Sequence, residues 1–181
     1  MAAKPGEMFS VAAGFKFDGG GAAGAGPPKI EHRIGIQAPA DIIWEILADI
    51  SGWESWNPLY PKAAGILRIG DALDLTVAIP GEAHRRIRPV IVDWVPRDQI
   101  HWQLSMLGGL VRSVRYLELE ILGESSVIFS NGEVFSGLLG PTVANSKRRA
   151  IRKGFKALGE ALAAKAEAEW RARGGTPTSD E

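Results

Sequence analysis

The sequence predicts an α+β fold: a strongly curved antiparallel sheet of about six or seven strands wrapped around one long C-terminal helix, with two short helices after the first strand. Three observations carry this reading. From about residue 62 to 137, short runs alternate apolar and polar residues and are separated by turn dipeptides. Each run has one apolar face, as in an antiparallel sheet covered on one side. Near the C-terminus, Ile151, Phe155, Leu158 and Leu162 recur at intervals of three or four, in a stretch with no proline between Pro141 and Pro177. A sheet that curls around a helix leaves space where side chains do not meet, and that space is a candidate ligand cavity.

The elements follow in order. Residues 1–28 include the run Gly19 to Pro28, which has almost no side chains to bury in return for ordering. They read as a flexible Gly/Ala-rich tail. Residues 29–171 read as the folded domain and 172–181 as a disordered C-terminal tail. Ile30 to Ile36 alternates and is the first strand. His32 and His101 are assigned to the polar faces of their strands. Pro39 and Asp41 suit a helix start, and Ile43, Trp44, Leu47 and Ile50 mark its buried face, with Ser51-Gly52 as its stop. A second short helix or turn runs through Trp53 and Trp56. Strand runs follow at Ile66–Ile69, at Leu73–Ile79, and at Arg86–Val95 with Pro89 marking an edge or bulge. Ile100, Trp102, Leu104 and Met106 share a face of the next strand. Gly108-Gly109 signals a hairpin. Leu117, Leu119 and Ile121 share a face opposite Tyr116, Glu118 and Glu120. Val127, Phe129 and Phe135 continue the apolar face, and the last helix, about seven turns long, starts near Pro141.

Composition excludes several classes. The chain has 181 residues, 45% hydrophobic and 23% charged, which suits one globular domain. It has no cysteine, which removes disulfide, thiolate-metal and cysteine-nucleophile chemistry. Lys+Arg and Asp+Glu are both 21, so the basic excess of a dedicated nucleic-acid binder is missing. No apolar run approaches the length of a membrane span, and no secretory pattern opens the sequence, so a cytoplasmic protein is expected. His32, His84 and His101 are scattered without metal-ligand spacing, and neither a phosphate-binding glycine loop nor a nucleophile elbow is present. No cofactor or metal is expected.

Four motifs in order carry a family resemblance. Residues 36–49, IQAPADIIWEILAD, fit the pattern I-x-A-P-x-x-x-V-W-x-x-L-x-D with Ile43 in place of valine. Trp53–Pro58 fits W-x-x-W-N-P, Gly70–Leu73 fits G-x-x-L, and Glu133–Gly137 fits E-x-F-S-G. Together, over about residues 31–165, they resemble the START-like (SRPBCC, helix-grip, Bet v 1-like) superfamily, and within it the polyketide cyclase/dehydrase-like group. Ser125-Ser126 replaces the usual G-T step at the last strand. The resemblance implies the helix-grip fold and an apolar cavity. The superfamily spans carriers, cyclases and chaperone activators, so it does not fix a function.

Candidate site residues come from parity and position. Phe129, Asn131, Glu133 and Phe135 share a strand face with Val127. Facing inward, Glu133 is either a general acid/base with a raised pKa, oriented by Asn131, or a carboxylate paired with a cation of the last helix or lying at the sheet rim. Trp56 and Asn57 lie on the loop that the resemblance places near the cavity mouth. Trp102, Met106 and Phe155 complete the ligand-binding set. Residues 141–173 hold nine Lys+Arg against three Glu. The block Lys147–Lys156 is therefore either a solvated helix face or a weak contact for an anionic surface. The expected function is binding of a small hydrophobic molecule: a lipid, polyketide-like or aromatic compound. The alternatives are a cyclase/dehydratase using Glu133 as acid/base, and a chaperone-activator-like interaction module. Neither nucleic acid nor integral membrane association is expected.

Overall fold

A 33-residue helix lies across a five-stranded antiparallel sheet in the computed structural model, which describes residues 26–175. The expected tails therefore lie almost wholly outside the described residues. The strands are β1 (Lys29–Ile36), β2 (Lys62–Ala64), β3 (Asp74–Val77), β4 (Arg85–Ile87), β5 (Val90–Val95), β6 (Gln99–Met106), β7 (Val111–Gly123) and β8 (Ser126–Ser136). Helix α1 is Ala40–Ala48 and α2 is Gly140–Ala172. The large sheet has the order β1-β8-β7-β6-β5, and β2-β3-β4 form a small second sheet.

This is the helix-grip arrangement, with local corrections. The strands number eight rather than six or seven. Ile66–Ile69 is not a strand; Ile66 and Ile69 project into solvent, and β2 forms just before them. The expected run Arg86–Val95 is broken at Arg88-Pro89, because proline supplies no N–H to a ladder. The break joins the two sheets: Leu73 N donates to Pro89 O, and Ala72 bridges Val90. Helix α1 ends at Ala48, so Ser51-Gly52 lie inside the following 3-10 turn, Ile50–Ser55, and do not stop the helix. Helix α2 also exceeds seven turns, since alanine, lysine and glutamate extend it beyond the apolar stripe to Ala172. Ser125-Ser126 makes a tight hairpin in which Gly123 pairs with Ser126.

The core follows from the periodicities. Helix α2 buries Ile151, Phe155, Leu158 and Leu162 against Ile30, Ile36 and Phe129 of the sheet, and α1 adds Ile43 and Leu47. Asp49 caps the 3-10 turn by accepting from Gly52 N. That turn seats Trp53, fully buried, whose Nε1 donates to Leu47 O at 3.1 Å. The register shifts by one residue near Ile91/Asp93 and near Ile121/Gly123, and such irregularities bend and twist a sheet. The contacts of α2 are densest on β1 and thin out through β8 to β7. The helix thus diverges from the β5–β6 side and from the small sheet, and the gap between them becomes the site.

His32 requires a correction. It has the parity of Ile30, Ile34 and Ile36 and faces inward, against the backbone of α2 at Gly159. Its buried Nδ1 has no hydrogen-bond partner. Burial lowers its pKa; Glu160 opposes this, and Lys156 and Arg152 add to it. His101 does face outward, where it meets Glu118 at 3.0 Å.

Candidate ligand cavity

The gap is a cavity of about 610 Å³. Its inner end is walled by Leu59, Tyr60, Trp102 and Phe155, and its mouth by the β3–β4 loop, the end of β6 and the first turns of α2. A Lys147–Glu82 ion pair at 2.5 Å joins α2 to that loop across the mouth. Arg85 and Arg86 also line the mouth and are exposed, with no ion pair among the described residues.

Trp102, Met106, Glu133, Phe135 and Phe155 all line the cavity. Four other candidates do not. Trp56 sits at a separate shallow cleft with Glu45, Asp49 and Lys165. Asn57 is buried, and its Oδ1 accepts from Leu59 N at 3.1 Å and Tyr60 N at 3.0 Å. It acts one step away from the cavity, folding the turn that delivers Leu59 and Tyr60 to the wall. Phe129 is fully buried core. Asn131 is fully buried and spent on structure: Oδ1 accepts from Arg115, while Nδ2 donates to His32 O and Phe155 O, each at 3.3 Å. It ties β8 to β1, β7 and α2, and orients Arg115 rather than Glu133.

Arg115 is the residue that sequence reasoning missed. It is 2% exposed and lines the cavity. Nε donates to Tyr60 Oη at 3.3 Å, Nη1 to Tyr116 O and Gly132 O, and Nη2 to Asn131 Oδ1 at 3.0 Å. The guanidinium lies 3.9 Å from the ring centroid of Phe155. Four of its five N–H groups are thereby used, and no carboxylate is within ion-pair distance among the described residues. The signal was available: Arg115 has the parity of Leu117 and Leu119.

Glu133 stands directly opposite Arg115 in the β7–β8 register, and Ser113 opposite Phe135. The buried Ser113 Oγ lies beside the Glu133 carboxyl. Glu133 makes no ion pair with α2 or any other described element. Burial pushes its carboxyl above the ordinary 4.5, and Ser113, Arg115 and Arg85 only partly counter that. Ser113, the spare N–H of Arg115 and Glu133 therefore form a polar group on an apolar wall, with hydrogen-bonding capacity unused by protein.

The sign of the Glu133 effect gives a test. A carboxyl whose pKa rises on folding binds more protons in the native chain than in the unfolded one. Stability then falls as pH climbs from the unfolded value through the raised one, and the loss is absent below 4.5. Glu133→Gln is expected to be more stable than the parent near pH 8, with the advantage vanishing below 4.5. Urea midpoints at the two pH values check this, and equal midpoints near pH 8 would exclude it.

Residues 27–167 match the family described as polyketide cyclase / dehydrase and lipid transport. No curated protein matches the chain. Among solved structures, an aromatase/cyclase (Zhui) from Streptomyces sp. R1128 is similar, with TM-score 0.63 and 20% identity, covering 82% of this chain and 98% of that one. A START superfamily protein from Mycobacterium smegmatis is similar with TM-score 0.62 and 19% identity, over 78% and 98%. Norcoclaurine synthase from Thalictrum gives TM-score 0.58 and 19% identity, over 78% and 94%. At these identities the likeness is one of fold.

Proposed function

Because the chain belongs to the polyketide cyclase / dehydrase and lipid transport family, we propose that it binds a small, largely apolar and unsaturated molecule in the cavity between sheet and helix. One observation carries this reading: about 610 Å³ of space whose inner wall is largely apolar around one polar cluster, Ser113, Arg115 and Glu133, while the charged residues Glu82, Arg85, Arg86, Arg88 and Lys147 ring its mouth. Apolar burial, at roughly 25 cal/mol per Å², drives uptake. Trp102 and Phe155 offer ring faces to a flat molecule. The unused hydrogen-bonding groups orient its oxygen atoms. The sheet's outer face supports an interior site over a docking module, since it carries the Arg33–Glu120 and His101–Glu118 pairs and the Lys29–Glu31–Tyr116 network rather than bare apolar surface.

The test uses 1-anilinonaphthalene-8-sulfonate as probe. Expected are one bound equivalent, quenching of Trp102 emission, and loss of binding in Val143→Trp, which plugs the mouth. Absence of probe binding, together with a bare protein mass by native mass spectrometry, would sink the reading.

A second reading is cyclase or dehydratase chemistry, favoured by the raised pKa of Glu133. As the carboxylate, Glu133 would take an α-proton from a ligand ketone while Arg115 stabilises the enolate oxygen; the enolate carbon would add to a second carbonyl of the ligand, and the alkoxide so formed would take the proton back from Glu133. Glu133→Gln then keeps the probe affinity and abolishes turnover of a 1,3-diketone substrate. Unchanged turnover rejects this role.

A further inference from the structure

We propose that the loops 107–110 and 137–139 form a docking knuckle that seats the cavity mouth on an anionic lipid bilayer. Four leucines project there: Leu107 (66% exposed), Leu110 (44%), Leu138 (81%) and Leu139 (37%). The two loops are one unit. Leu139 N donates to Leu110 O at 2.9 Å. Gly137, at φ +83, lies so close to the other loop that a Cβ would fall 2.6 Å from Leu110 O. Leu107 itself adopts φ 53, unusual for a residue with a side chain, and that conformation holds an apolar group in water. Isolated exposed leucines need no explanation; four on two locked loops make a patch.

Charge identifies the occupant. No Asp or Glu occurs from Gln99 to Leu117 or from Val134 to Gly159, the segments that build this end. Arg112, beside Gly109, is exposed there, and Arg148 and Arg149 are exposed in the third turn of α2. The acid nearest the mouth, Glu82, is already paired with Lys147. The opposite end of β7 is the internal contrast. Ile121 and Leu122 are also exposed (51% and 59%), but the charges that flank them are Glu124 and the Glu120–Arg33 pair. One tip is thus apolar and cationic and the other apolar with no cationic excess, so an anionic bilayer selects the first. Leu107 also lines the cavity, so the docked mouth opens toward the acyl region. An apolar ligand could then pass without crossing water, while an entirely different cavity occupant would leave the docking intact.

The test is co-sedimentation of the full chain with phosphatidylcholine vesicles, with and without phosphatidylglycerol. Binding is expected only with phosphatidylglycerol, weakening with salt. Leu107→Ser with Leu138→Ser should lower it about tenfold or more. Arg112→Ala and Arg149→Ala should each lower it about fivefold. Leu122→Ser should leave it unchanged. These positions are exposed, so folding is not at stake. No binding to phosphatidylglycerol vesicles, or an equal loss in Leu122→Ser, overturns the proposal. So does self-association of the parent chain that the leucine double variant abolishes, because the patch is then a contact between copies.

Discussion

Replacing Gly132 by alanine is expected to destabilise the protein by about 3–5 kcal/mol, a sum of overpacking and a lost buried hydrogen bond. Gly132 sits in the middle of β8, where glycine ordinarily weakens a strand. Its role is to leave room for Tyr116, its partner across the ladder. A Cβ at residue 132 would lie 2.0 Å from Tyr116 Oη and 2.2 Å from Cζ. The ring is not free to swing away. Its hydroxyl donates to Glu31, Lys29 lies over its face at 5.2 Å, and His101 packs edge-on at 6.3 Å. Tyr116 is 2% exposed, and burial, followed by the Glu31 contact, raises its pKa, so the phenol stays a donor. Tyr116→Ala removes the obstacle, and on that background Gly132→Ala should cost less than about 1 kcal/mol, since only ordinary strand effects remain. The double-mutant cycle, read from urea unfolding, should show a coupling of about 2–5 kcal/mol. A cost below about 1 kcal/mol in the parent chain would show that the tyrosine moves freely.

The same strand pair explains how much was legible beforehand. Burial along α2 imposes a period on Ile151, Phe155, Leu158 and Leu162, and apolar alternation imposes parity on β6 to β8, so the grip of sheet on helix could be read from the residues. Parity also placed Glu133 and Phe135 on the cavity wall. It was applied unevenly. Arg115 and His32 occupy inward positions by the same count, yet His32 reads as part of a polar face and Arg115 draws no assignment at all. Their neighbours across the fold make burial tolerable: the Phe155 ring and Asn131 for Arg115, the backbone of α2 beside Gly159 for His32. No count along one strand reveals such neighbours. Asn57 shows the complementary difficulty. A short polar side chain in a tryptophan-rich loop serves a ligand or a turn equally well, and only the two N–H groups it accepts from decide. In the small sheet β3 shows in the alternation of Leu73–Ile79, whereas β2 and β4 have three residues each, too few for any period to register.

Arg115→Met is expected to cost about 3–5 kcal/mol, because each buried acceptor left without a partner costs about 1–3 kcal/mol and several are left. Asn131 Oδ1 and Tyr60 Oη lose their donor, the carbonyls of Tyr116 and Gly132 each lose a charged one, and Phe155 loses its cation. Arg115→Lys restores the charge but cannot fork to β7, β8 and Tyr60 together, so it should recover only part of the loss. Ser113→Ala separates structure from binding on the same wall. The Ser113 hydroxyl sits beside the Glu133 carboxyl, so its removal should cost no more than about 1 kcal/mol, read from urea unfolding. If Ser113 and the spare N–H of Arg115 are held for a ligand oxygen, Ser113→Ala should nevertheless weaken binding of an oxygen-bearing aromatic such as naphthol by about fivefold to tenfold, while plain naphthalene is unaffected. Equal effects on the two ligands would make the hydroxyl a passive part of the wall, and the buried guanidinium a purely structural clasp between the strands and α2.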